Sequence, residues 1–382
     1  MNADKLKIEL GCYTDEAHPN GLKLLELDES SGTMSVLDEY PVRHAIYQAF
    51  SPGADLLYTC TDVGVASLAV KGARLIHLDE VDLGGECVCH VAAMPGGNRV
   101  VFADYLGGFA GSVEVENGRF GKVVKHQHIG SGPNLPRQDK AHCHQAIPTP
   151  DGKGYCVVDL GLDQIVEYPS GRVFRTSPSG AGPRHLLFHP NGRLAFLVYE
   201  LGNLVSSLSW SSADGFKILD TLPTIIDLSC KEREDRKGEL FTNDNCHTCL
   251  QIINTNSTRS TRSTRLNNLV NPVNPVKNNQ AAAIRLTPDE RRVIVSNRGE
   301  NSLVVFDFDE STGKLAFKVR TMLAGDWPRD FIFVSDSLAL VACERSGEVQ
   351  SLSYEKDVGM FNTIATLSGL FRPVSLCKRI LP

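Results

Sequence analysis

Side chains able to bind an anion and move a proton recur at fixed distances from one repeated turn. The turn begins at Ser51, Met94, Thr149, His189, Thr287 and Val334, in the strings SPGADLLYTCTD, MPGGNRVVFADY, TPDGKGYCVVDL, HPNGRLAFLVYE, TPDERRVIVSNR and VSDSLALVACER. Five residues before it stand His144, Arg184 and Arg329. Eleven residues after its first position stand Glu200 and Arg298, and one residue earlier stand Asp104, Asp159, Asn297 and Glu344. Guanidinium groups grip a carboxylate or phosphate with paired hydrogen bonds, and a carboxylate near an imidazole can pass a proton. Polar rim residues serving solubility alone would not concentrate three chemistries at two offsets, so the pattern predicts a pocket for a small anion.

The elements that must position these residues follow from the turn itself. In most copies Pro sets φ and Gly, Asp or Asn takes the irregular positions, which marks a hairpin. An apolar run precedes each turn (RHLLF) and another follows it (RVVFA), as expected for strands buried on both faces. Outer strands follow, as in SLVVFDFDESTGKLAFKVRTM. Four strands per unit of roughly 40 to 50 residues is the size of one propeller blade. Six turns are complete, and the seventh blade is predicted to be shared between IELGCYTDE, GLKLLELDESSG and TMSVLDEY near the start and RPVSLCKRI near the end. The reading is therefore all-β: a single seven-bladed β-propeller over residues 1–382, closed by pairing of N- and C-terminal strands, which removes a free edge. The start of an inner strand and the end of its hairpin partner lie at one sheet edge, so the residues above should meet at one mouth of the central channel.

Composition narrows the function classes. Of 382 residues 42% are apolar, with 33 Gly and 19 Pro, which suits short strands and tight turns. A net charge of −6 offers no basic field for a nucleic-acid backbone or an anionic membrane. MNADKLKIELGCYTDE lacks an apolar run of signal-peptide length, and a cytoplasmic protein is expected. The eleven cysteines are expected to be reduced. Cys87/Cys89 and Cys246/Cys249, with His247, resemble halves of a metal site without a matching second half, so no metal is expected. No cofactor is expected either: the chain has no nucleophile elbow, and its Gly-rich strings YLGGFAG and SPSGAG do not join a strand to a helix. One interval between turns, 98 residues, is about twice the others. Its excess, about residues 231–280, contains STRSTRSTR and NPVNPV and is expected to be a polar flap emerging at the active mouth. Deleting residues 235–275 is expected to leave the melting temperature nearly unchanged.

At these positions the sequence resembles the lactonase family of seven-bladed propellers, which includes propeller-type 6-phosphogluconolactonases and fungal carboxymuconate cyclases. The segments that carry the resemblance are GCYT at 11, HCHQAIPTPDGKGYCVVDLGLDQI at 142, GPRHLLFHPNGRLAFLVYELGN at 182, AAAIRLTPDERRVIVSNRGENSL at 281 and WPRDF at 327. Residues 43–47, RHAIY, differ from the Asn-Pro-Ser-Tyr type of segment usual there. The resemblance implies a metal-independent lactonase with His144, Arg184, Glu200 and Arg298 as catalytic residues, and His142, His185 and Arg329 as neighbours. Asp159 and Asn297 join the expected substrate-binding set from their offset. The implied reaction is hydrolysis of a small anionic sugar lactone, foremost 6-phosphogluconolactone, with Glu200 or His144 activating water. Cycloisomerisation of a muconate-like dicarboxylate and a non-catalytic binding propeller are the alternatives.

Overall fold

The computed structural model describes residues 5–225 and 278–379, and these form seven four-stranded antiparallel sheets. Six blades run in chain order from the inner strand outward. Their inner strands are Gln48–Phe50, Val88–Ala93, Cys143–Pro148, Pro183–Phe188, Gln280–Leu286 and Pro328–Phe333. The remaining blade is composite: Pro373–Lys378 pairs antiparallel with Leu6–Cys12, with Gly11 opposite Ser375 and Ile8 opposite Lys378. Gly11, in the GCYT segment, lies where an added Cβ would sit 1.9 Å from the Ala45 carbonyl oxygen. The ring thus closes through the two chain ends, as the sequence predicts. No helix among the described residues is long and apolar enough to cross a membrane.

Burial explains the strand patterns. Second strands such as Leu194–Tyr199 and Leu338–Cys343 are buried at every residue, because both faces pack against neighbouring blades. Outermost strands alternate, as in Met34–Tyr40, because only one face is covered. The apolar core is a set of wedges between adjoining blades rather than one central mass. Phe196, Val198 and Val205, for example, pack against Ile284, Val293 and Phe306 of the next blade. That arrangement leaves the ring axis free for polar side chains.

The repeated turn also has a common geometry. Its fourth residue has positive φ in five copies: Ala54, Gly97, Gly152, Gly192 and Glu290. Asp or Asn at its third position caps the loop, as when Asp151 and Asp289 accept from the Thr149 and Thr287 hydroxyls, both at 2.6 Å.

The inner strands carry a feature that counting along the chain does not reveal. In the ladders to their second strands the register slips between Val88 and His90, Cys143 and Gln145, Pro183 and His185, and Pro328 and Asp330. The extra residue in each is Cys89, His144, Arg184 or Arg329. A β-bulge releases one residue from the ladder and re-aims its side chain. Residues five before the turn are therefore the bulged residues of their blades.

The expected flap at about 231–280 lies almost wholly outside the described residues. Its described flanks, Thr224 and Asn279, meet at the end of the strand Arg292–Arg298: the Thr224 hydroxyl donates to Asn297 Oδ1 at 2.8 Å, and Asn279 Nδ2 lies 3.3 Å from the same atom.

Candidate active site at the channel mouth

Glu200 is the centre of the mouth. It follows the second strand Leu194–Tyr199, and the bulge at Arg184 turns that side chain across the hairpin to meet it. Arg184 Nε donates to Glu200 Oε2 at 3.1 Å, and Arg298 Nη2, from the next blade, donates to the same oxygen at 2.7 Å. Arg137 Nη2 donates to Oε1 at 2.5 Å. Arg184, Arg298 and Glu200 are almost fully buried, whereas the Arg137 side chain is 36% exposed. Burial alone would push the Glu200 carboxyl up, but the guanidiniums, Arg298 foremost, outweigh it and hold the group well below the usual carboxylate range.

A second carboxylate repeats the arrangement beside it. Glu344 accepts from Arg329 Nη1 at 3.1 Å on Oε2 and from Arg372 Nη2 at 2.5 Å on Oε1. Both guanidiniums face the Tyr13 ring, at 5.4 and 4.2 Å from its centroid. Trp327 likewise receives Arg345 at 3.3 Å and Arg298 at 5.5 Å. Six arginines and two glutamates thus converge here in a chain whose net charge is −6. The mouth is a local positive field in an acidic protein, and it favours entry of an anion.

Below the arginines the channel is lined by imidazoles. His144 and His185 have ring centroids 5.1 Å apart, and His185 lies 5.8 Å from His90, which packs 4.0 Å from Tyr47. Arg184 Nη1 sits 3.3 Å from His185 Nδ1 and donates to the Ala282 carbonyl at 2.8 Å. His144 Nδ1 is buried without a hydrogen-bond partner among the described residues. Burial, followed by Arg184, holds His144 and His185 well below the ordinary histidine value. Burial, followed by Arg285, lowers His90 to about 3. These imidazoles are therefore neutral at physiological pH.

Stability should carry the mark of these buried imidazoles. Between the depressed folded value and 6.5 the unfolded chain binds protons that the folded ring does not, so stability is complete above pH 6.5 and falls as the pH drops. From pH 6.5 to about 5, His90 alone should cost about 2 kcal/mol. Denaturant unfolding at the two pH values should show this loss, and His90→Leu should reduce the slope. An unchanged slope in that variant would mean that His90 is not buried as a neutral ring.

The sequence-derived set divides at this mouth. His144, Arg184, Glu200, Arg298, Arg329 and His185 come together. His142 lies beside them, stacked 4.4 Å from Tyr105, with Nδ1 at 2.9 Å from the Tyr105 carbonyl and Nε2 at 3.0 Å from Asp139. It braces the loop that carries Arg137. Asp159 and Asn297 do not join the cluster. Asp159 accepts from the amides of His142 and Leu162 at 2.9 and 3.1 Å and sits 2.7 Å from His128 Nδ1. Asn297 is bonded to both the hydroxyl and the carbonyl of Thr224. Both are fully buried, and their hydrogen-bonding capacity goes into closing loops rather than facing the channel. Asp104 does the same for the amides of Glu86, Cys87 and Gly107.

Ladder register gives the reason. Asp104, Asp159, Tyr199, Asn297 and Cys343 occupy the same place opposite their inner strands, and the next residue points to the other side. That next residue is Tyr105, Leu160, Glu200, Arg298 or Glu344. Glu344 thus belongs with Glu200, its turn being one residue shorter. Sequence reasoning missed Arg137, Arg372, Tyr105, Tyr13 and His90.

His128, Cys143 and Asp159 bring potential metal-ligating atoms within 4.8 Å of one another. These groups are already bonded among themselves, and Tyr168 OH lies 3.0 Å from His128 Nε2. Cys246, His247 and Cys249 lie outside the described residues.

The comparisons with known proteins agree with the fold. A 6-phosphogluconolactonase of Bacillus subtilis is 27% identical over 389 aligned positions, covering 97% of each chain. A solved protein from Lactobacillus plantarum superposes with a TM-score of 0.77 at 26% identity, over 98% of this chain and 99% of that one. A periplasmic gluconolactonase of Pseudomonas aeruginosa gives a TM-score of 0.80 at 21% identity, over 99% and 100%, a likeness of fold. The model of the family described as lactonase, seven-bladed β-propeller, matches residues 7–374, and the chain belongs to that family.

Proposed function

We propose that the protein hydrolyses a small anionic sugar lactone, with 6-phosphogluconolactone the substrate that fits best. The observation that carries this reading is the concentration of six arginines against two glutamates at the mouth, above a neutral imidazole whose Nδ1 has no partner among the described residues. A phosphate ester satisfies guanidiniums that a neutral sugar would leave facing one another.

In the proposed reaction Arg184 and Arg298 polarise the lactone carbonyl and stabilise the oxyanion that forms on it. His144 takes a proton from water, whose oxygen attacks the carbonyl carbon. As the ring C–O bond breaks, His144 returns that proton to the departing ring oxygen, and the new carboxylic acid ionises to solvent. His144 suits the role because its Nδ1 has no hydrogen-bond partner among the described residues, whereas both Glu200 oxygens are held by arginines. Glu200 instead orients Arg184 and Arg298 and offsets the charge that develops on the imidazole.

The test is lactone loss followed against the spontaneous rate. 6-Phosphogluconolactone should be hydrolysed with a kcat/KM about a hundredfold or more above that of gluconolactone, the worth of one or two charge-assisted hydrogen bonds. The ratio should shrink with added salt. Absence of acceleration on either lactone, with turnover of a muconate instead, would overturn the reading.

A further inference from the structure

Arg137 differs from the other two arginines on Glu200. Arg184 and Arg298 belong to inner and second strands and have side chains 3% and 4% exposed, so neither can turn away without disturbing a blade. Arg137 comes from the connection between the strands Arg119–Gln127 and Cys143–Pro148, and its side chain is 36% exposed. Among the described residues it is fixed by Glu200 Oε1 and by the Tyr105 hydroxyl, the latter at 3.0 Å. It also donates to the Glu200 oxygen that the other two leave alone. With three guanidiniums on one carboxylate, Glu200 has little charge left to support a positive His144. An incoming dianion competes with Glu200 for the most accessible of the three.

We propose that Arg137 is an exchangeable clamp: the phosphate ester of the substrate draws it off Glu200, and the carboxylate so released supports His144 as the base. The anion then does more than bind. It turns on the group that activates water, so the phosphate raises kcat as well as lowering KM. The clamp rests on the lactonase reading above and adds a reason for substrate choice that affinity alone does not supply. Arg137 is a positioning residue for Glu200 in the empty site and a phosphate ligand in the occupied one.

Arg137→Ala gives the test, with Arg137→Lys retaining charge without the fork. Loss of the clamp should lower kcat/KM for 6-phosphogluconolactone by about a hundredfold. It should also raise kcat for unphosphorylated gluconolactone severalfold, because Glu200 Oε1 is no longer covered. Phosphite dianion added to gluconolactone should activate the wild type and not the alanine variant. Equal losses on both lactones, or phosphite activation that survives in Arg137→Ala, would overturn the proposal. Calorimetric titration with inorganic phosphate at low ionic strength needs no turnover. Binding should weaken at least tenfold in Arg137→Ala and less in Arg137→Lys, and equal affinity in wild type and alanine variant would overturn the clamp. If the wild type hydrolyses neither lactone the proposed function fails, and the phosphate titration still decides whether Arg137 is an anion clamp.

Discussion

Replacing His144 by alanine is expected to lower kcat on the lactone by about 10²- to 10⁴-fold, the range for removing a positioned general base, while the propeller stays folded. The expectation follows from position. His144 is the bulged residue of its inner strand, so its side chain is outside the ladder and its loss removes no backbone pairing. Among the described residues its Nδ1 has no partner to be orphaned by the substitution. Burial and Arg184 keep it unprotonated, so it enters the reaction in the form that accepts a proton. Activity should therefore hold on the alkaline side of neutrality, where a base kept neutral has nothing further to lose. Glu200→Gln gives the contrast. It removes the charge that Arg184 and Arg298 face, and should lower both activity and melting temperature. A His144→Ala variant retaining more than about a tenth of wild-type kcat would transfer the role of base to Glu200.

How much of this was legible in the sequence depends on whether a residue shares the period of the fold. His144, Arg184 and Arg329 were visible because every bulge sits at the same distance from its turn. Glu200 and Arg298 were visible because each lies the same number of residues beyond the start of its turn. The neighbouring offset misled for the same reason: Asp159 and Asn297 are one residue away from the mouth-facing position, and one residue in a strand reverses the side chain. Glu344 shows the converse, since a turn shorter by one residue hides its equivalence to Glu200 until the ladder is drawn. Arg137 has no period at all. It lies in a connection whose path is set by His142, Asp139 and the Tyr105 stack, contacts between segments far apart in sequence. Arg372 was hidden in the closing segment, where the chain ends supply one blade between them. Closure itself was readable, because six complete turns leave apolar strands unpaired at both ends.

That closure also contains the most consequential pair outside the mouth. Arg379→Met is expected to destabilise the ring by about 3–5 kcal/mol, the range for breaking a buried ion pair by removing one partner. Arg379 follows the inner strand Pro373–Lys378, and its backbone amide donates to the Lys7 carbonyl at 2.9 Å. Its side chain is fully buried, donating to Glu9 Oε1 through Nε at 2.9 Å and also through Nη2, and to the Gly72 carbonyl at 2.6 Å through Nη1. One guanidinium therefore joins the last strand, the first strand and the next blade. Glu9 is equally buried, its Oε2 has no partner among the described residues, and burial outweighs Arg379 to push its carboxyl up to about 7. The sign of the pH dependence follows. Between 4.5 and about 7 the folded chain keeps a proton that the unfolded chain has lost, so the stability from Glu9 is complete below 4.5 and declines as the pH rises through 7. Without Arg379 nothing remains to favour the buried carboxylate, so the loss in Arg379→Met should be largest at alkaline pH and smaller near pH 5. The double variant Glu9→Leu, Arg379→Met should recover much of the stability at every pH, because an apolar pair of similar volume needs no desolvated charge. Denaturant unfolding of the wild type, both single variants and the double variant measures the coupling directly. An Arg379→Met chain as stable as the wild type would show that the strand ladder alone holds the ring shut.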